Sequence, residues 1–99
     1  MNLFYCDEVK VFIKKLEKKT QAKIVRGINL LEQYGTDVGM PHVKRITHDL
    51  YELRIRGQQE VRLFFGIKHN AIFFLHGFIK KAQKTPEYEI ETARKRFGS

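Results

Sequence analysis

Apolar and polar positions alternate in three successive stretches of the second half of the chain. In residues 50–56, Tyr51, Leu53 and Ile55 are apolar while Glu52, Arg54 and Arg56 are polar. In residues 60–67, Val61, Leu63, Phe65 and Ile67 form one set, with Arg62 and Phe64 on the other. A period of two places each set on one face of a strand, and residues 73–81 supply a third, strongly apolar strand that ends in Lys80 and Lys81. Arg54 and Arg62 therefore point away from the main core. With Gly57, Gln58 and Gln59 as the first turn, Arg54 lies opposite Arg62; with Lys68, His69 and Asn70 as the second, Arg62 lies opposite His76. Like charges facing each other across strands oppose folding by up to about 1 kcal/mol, so such a row suggests an anion that balances it.

The first half carries a helical period. A short strand over residues 3–6 precedes a helix capped by Asp7, whose apolar positions are Val9, Phe12, Ile13 and Leu16. Thr20 opens a second helix in which Ile24, Ile28 and Leu31 form an apolar stripe with Val25 beside it. Gly35, Gly39 and Pro41 mark residues 35–42 as a loop, and residues 42–46 form another strand that turns at His48 and Asp49. Near the end, Thr85 is an N-cap residue, Pro86 takes the first helical position, and Ile90, Ala93 and Phe97 line the buried side of a last helix. The order is β, α, α, a β-meander, then α. The fold class is α+β, with an N-terminal strand and helical hairpin packed on an antiparallel meander and a short C-terminal helix.

Size and charge narrow the partners. Ninety-nine residues suit one domain, read as 1–97, with Gly98 and Ser99 set aside as a remnant of cloning. A net charge of +8 and an isoelectric point near 9.8 favour a polyanion or an acidic protein over a small neutral substrate. The single cysteine, Cys6, excludes an internal disulfide and reads as a small buried hydrophobe. The four histidines lack the spacing of a zinc site, so no metal and no cofactor are expected. Without an apolar leader or a bilayer-length stretch, the chain reads as cytoplasmic, with no membrane partner.

The segments that begin at Leu50, Val61 and Leu75, then Lys84-Thr85-Pro86, Glu89-Ile90 and Ala93, resemble the phage-derived HigB-like branch of the RelE/ParE toxin superfamily. The likeness covers essentially the whole chain, each motif being weak and the combination fairly specific. It implies the small RelE-like fold, a type II toxin that cleaves mRNA in the ribosomal A site without a metal, and a cognate helix-turn-helix antitoxin. Carried over by position, it points to Arg54, Arg62, Lys80 and Lys81, with Tyr88 near the place where some relatives hold a catalytic tyrosine. Glu52 departs from relatives that are basic near that position.

Cleavage of this kind needs a proton acceptor for the 2′-hydroxyl, cations for charge developing on phosphorus and a proton donor for the leaving oxygen. Arg54 and Arg62 suit the cationic role because a guanidinium can bind phosphate through two parallel hydrogen bonds. His76, Glu52, Lys80 and Lys81 are the candidates for proton transfer. Each has a plain alternative: His76 packed between Phe74 and Phe78, Glu52 paired with Arg45 or Arg54. Lys44, Arg45, Arg56, Lys84 and Tyr88 complete the expected RNA-binding set. Phe64, Phe74 and Phe78 share the alternation of Arg62 and His76, and form either a stacking surface for bases or a second small core beneath the last helix. A ParE-like gyrase inhibitor and a non-catalytic nucleic-acid-binding module remain as alternatives to the ribonuclease.

Overall fold

The computed structural model describes residues 1–98; the reading of residue 99 as a remnant lies outside them. Five strands form one sheet in the order β1-β5-β4-β3-β2: β1 (Asn2–Tyr5), β2 (Val43–Arg45), β3 (Tyr51–Ile55), β4 (Val61–Lys68) and β5 (Ala71–Ile79). β1 runs parallel to β5, and the other pairs are antiparallel. Helices α1 (Asp7–Lys14) and α2 (Lys18–Tyr34) pack on one face, and α3 (Glu87–Phe97) on the other.

The two predicted periods account for this layering. Val9, Leu16, Ile24, Ile28 and Leu31 meet Leu53, Ile55, Val61, Leu63, Phe65, Ile72 and Phe74 in the larger core. Gly77 allows the close approach of α1, since a Cβ there would lie 2.6 Å from the Phe12 ring and 2.8 Å from Leu63. On the opposite face Leu50, Phe64, Leu75, Phe78 and Ala93 form a smaller core, flanked by Ile46, Phe73, Ile90 and Phe97. This is the second core expected beneath the last helix.

Several boundaries shift. Cys6, not Asp7, is the N-cap of α1; α2 starts at Lys18 rather than Thr20, and Pro86 precedes α3 in extended conformation instead of opening it. Thr20 is buried inside the first turn of α2, where its hydroxyl donates to Gln59 Oε1 across 2.7 Å. The expected loop after α2 contains a 3-10 turn, Gly35–Val38. Gly98 closes α3, its N–H donating to the Arg94 carbonyl.

The register holds on one side of β4 and differs on the other. Arg54 lies opposite Arg62 as expected. Arg62, however, faces Phe78, and His76 faces Phe64. Two one-residue shifts cause the correction. Lys68 pairs with Ala71, so His69 and Asn70 alone make the turn, both with positive φ as a two-residue hairpin loop requires. A bulge then places Leu75 between the pairs Phe65–Phe74 and Phe64–His76. The shifts cancel in parity, leaving His76 on the Arg62 face but two positions from its expected partner. The bulge also turns Phe74 into the larger core, away from Phe64 and Phe78.

Candidate nucleic-acid site

Burial divides the basic row into two kinds of arginine. The Arg62 residue is only 2% exposed and sits beneath the surface. Its Nη1 donates to the Val61 carbonyl at 3.1 Å, Nη2 lies 3.6 Å from Glu60 Oε1, and Nε lies 3.8 Å from Glu52 Oε1. Burial holds this guanidinium below the usual arginine value, opposed by the carboxylates of Glu52 and Glu60. The Arg54 side chain is 14% exposed, with Nε 3.5 Å from the same Glu52 oxygen. One buried carboxylate thus lies between two facing arginines, which corrects the expectation that an external anion must balance the row. Glu60 is fixed by the Gly57 N–H at 3.0 Å and by Arg62 and Arg56, and these contacts hold its carboxyl below the usual glutamate range.

The balance is electrostatic rather than one of complete hydrogen bonding. Nε of both Arg54 and Arg62 is buried without a hydrogen-bond acceptor, because Glu52 lies beyond bonding distance of each. Arg54 retains outward capacity: it borders a cleft of about 440 Å³ between β2, β3, the segment after β5 and the start of α3. Lys44, Arg45, Glu52, Lys80 and Lys84 also line this cleft, together with Gln83, Thr85, Glu87 and the apolar Ile46 and Ile90. β2 aligns Lys44 with Glu52 and Arg45 with Tyr51, so the edge strand carries two cations to the rim. Arg45 is held by the carbonyls of Thr47 and His48 and lies over the Tyr51 ring, not against Glu52.

His76 lies elsewhere, clamped beneath α3. Its Nε2 is 2.7 Å from Glu89 Oε1, and its Nδ1 is 3.3 Å from Arg96 Nη1. An arginine nitrogen can only donate, so these partners assign the proton to Nε2 and leave Nδ1 as the acceptor. Arg96 Nη1 also donates to the carbonyl of the bulged Leu75 at 2.8 Å. The ring stacks on Phe78 rather than between Phe74 and Phe78. His76, Glu89 and Arg96 therefore fasten α3 to the bulge of β5.

Of the candidate site residues, the cleft brings together Lys44, Arg45, Glu52, Arg54, Lys80 and Lys84. Arg62 supports Glu52 from behind; Lys81 and the 66% exposed Tyr88 do not line the cleft. Arg56 borders a separate groove of about 330 Å³ between α2 and β3, where Lys23, Arg26 and Leu30 also lie and which Arg54 reaches as well. Sequence reasoning missed Glu60, Glu87, Glu89 and Arg96. Only Glu60 left a local signal, two positions before Arg62 on the same strand face. Among the described residues no group of His, Cys, Asp and Glu is placed to hold a metal ion, and no helix is long and apolar enough to cross a membrane.

The arrangement can grip a phosphodiester from three sides: Lys44 and Arg45 from the edge strand, Arg54 from the sheet floor, and Lys80 and Lys84 from the segment leading to α3. Apolar Ile46 and Ile90 can border a base. A solved complex of the YoeB–YefM toxin–antitoxin pair from Staphylococcus aureus contains a chain with a similar fold, with a TM-score of 0.57 and 19% identity over 75% of this chain and 90% of that one. At this identity the likeness shows a shared fold of the small RelE-like type. No curated protein matches the sequence. Residues 11–98, from α1 through the end of α3, match the profile of the family described as phage-derived protein Gp49-like, and the chain belongs to that family.

Proposed function

We propose that this protein is the toxin of a type II toxin–antitoxin system and acts as a ribosome-dependent mRNA endoribonuclease. The observation that carries the reading is the cleft itself, where four cationic side chains, Lys44, Arg45, Lys80 and Lys84, surround Arg54 on the floor of a RelE-like sheet. The RNA supplies its own nucleophile, the 2′-hydroxyl beside the scissile phosphate. The protein must orient that phosphate and stabilise the charge that develops on its oxygens. Arg54 is suited to both tasks. Its Nε faces Glu52, which sets the plane of the guanidinium, and Nη1 lies 3.9 Å from Met40 Sδ, while the residue borders the cleft. Lys44, Arg45, Lys80 and Lys84 add phosphate contacts whose strength falls with salt.

Arg62 has a different role in this scheme. With its polar atoms turned to Val61, Glu60 and Glu52, it orients Glu52 rather than touching RNA. The ribosome and the message are the proposed partners, and a cognate antitoxin is proposed from the likeness to the toxin–antitoxin complex. So basic a surface suits inhibition by an acidic segment.

Primer extension on a reporter message in a purified translation system tests this. The native chain is expected to cut within codons only when ribosomes are present, and Arg54→Ala to lower the rate by about 10²–10³-fold, the usual effect of losing one charge-stabilising donor. A circular-dichroism melt should show the variant folded. An uncut message would overturn the ribonuclease reading; relaxed DNA left unsupercoiled by gyrase would then favour a gyrase-inhibiting toxin, and salt-sensitive RNA retention without cutting would favour a binding module.

A further inference from the structure

The ribonuclease reading requires a proton acceptor, and the expected candidates are engaged. Glu52 is 3% exposed and shared between Arg54 and Arg62. His76 lies outside the cleft, with one ring nitrogen on Glu89 and the other on Arg96. Tyr88 points to solvent and does not line the cleft. Lys80 and Lys84 enter as ammonium groups, which donate rather than accept.

Two carboxylates line the cleft, Glu52 and Glu87. Glu87 is the first residue of α3, exposed, and among the described residues its carboxylate takes part in no hydrogen bond or ion pair despite the cations around the same cleft. Pro86 precedes it in extended conformation and sets where the helix begins. The carboxylate thus stands on a rigid element at the cleft wall with both oxygens free to accept.

Resting on the ribonuclease reading above, we propose that Glu87 is the proton acceptor for the RNA 2′-hydroxyl, facing a scissile phosphate held by Arg54 and Lys80 in the cleft of β2, β3 and α3. The 2′-oxygen forms a bond to phosphorus as its proton passes to a Glu87 oxygen. The bond from phosphorus to the 5′-oxygen breaks, and that oxygen takes a proton from the Lys80 ammonium. The products are a 2′,3′-cyclic phosphate and a 5′-hydroxyl. Solvent then carries the proton from Glu87 back to Lys80, so no electron, metal or further reactant is needed.

The test is single-turnover cleavage of a ribosome-bound message by the full chain, its Glu87→Gln variant and its Glu87→Asp variant, followed across pH. Glu87→Gln is expected to cut about 10²–10⁴-fold more slowly, the span typical of general-base loss, and to lose the native chain's rise in rate with pH. Glu87→Asp keeps that rise and recovers part of the rate. Cleavage by Glu87→Gln at the native rate overturns the role, as does a slower rate that keeps the native pH profile, which is what losing only a helix-end charge would produce. Failure of the native chain to cleave overturns the ribonuclease reading itself and this role with it.

Discussion

The two faces of the sheet solve different problems with the same strands. The face under α1 and α2 is closed mainly by aliphatic and aromatic side chains, so its stability comes from area removed from water and from close packing. The face under α3 holds a smaller apolar cluster at one end and a charged row at the other, in which Glu52 and Arg62 are buried and Arg54 is half-buried. Charges taken out of water are expensive, and their mutual attraction often does no more than offset that cost. The second face therefore gives up stability that hydrophobic residues would have supplied. What it gains is an arginine held at fixed geometry on the floor of an open cleft.

The comparison breaks first on the apolar side. Phe65 is fully buried, stacked on Tyr51 and tilted against Phe74, so Phe65→Ala should destabilise by about 3–5 kcal/mol through lost transfer energy and the cavity left behind. Urea denaturation measures it; a loss below about 1 kcal/mol would mean that the main core does not dominate. Arg62→Ala is the matching change on the charged side. It leaves Glu52 buried with one partner at 3.5 Å and should cost about 3 kcal/mol, the scale for removing half of a buried pair. A double-mutant cycle with Glu52→Ala should return a coupling on the order of 1–3 kcal/mol. Additive effects would instead mean that Arg62 is solvated and available to a ligand.

Local pattern determined how much of this was legible. The alternation at Tyr51, Leu53 and Ile55 and the short turn at Gly57 fixed both the inward face of β3 and the pairing of Arg54 with Arg62, since a one-residue slip would expose the whole core set. The second hairpin was harder. Phe73, Phe74 and Leu75 form a continuous apolar run, and nothing in such a run marks which residue a bulge will double. The burial of Arg62 and Glu52 follows from the second core and α3 closing over that face, a tertiary outcome no strand period carries. The clasp of His76, Glu89 and Arg96 is likewise a meeting of helix and sheet, whereas the acidic start of α3 has an ordinary local explanation in the helix dipole.

That clasp provides a smaller contrast between fastening and chemistry. His76→Ala removes the 2.7 Å contact to Glu89 and the acceptor for Arg96, and should cost about 1–3 kcal/mol. The loss should concentrate in faster amide exchange along α3 while β3 and β4 stay protected. Message cleavage, corrected for the folded fraction, should persist. A variant with native exchange but abolished cleavage would move His76 from support of α3 to the reaction itself.

The smallest effect expected is set by pH at the outer end of the charged row. Glu60 is held below its ordinary value of 4.5, first by the Gly57 N–H and then by Arg62 and Arg56. A carboxyl depressed in the folded state binds its proton more readily when unfolded, so acidification favours unfolding. Its contribution is therefore complete above about pH 4.5 and disappears as pH falls through the lower folded value. Because about a third of the side chain is exposed, solvent screening keeps that contribution at or below about 1 kcal/mol. Glu60→Gln should be less stable than the native chain near neutrality, and the two stabilities should converge as the pH is lowered past 4.5 in salt-matched melts. A gap that stayed constant through the acid range would show that the effect does not depend on the charge of Glu60, and the charged face would then owe its order to packing at that turn rather than to alternating ions.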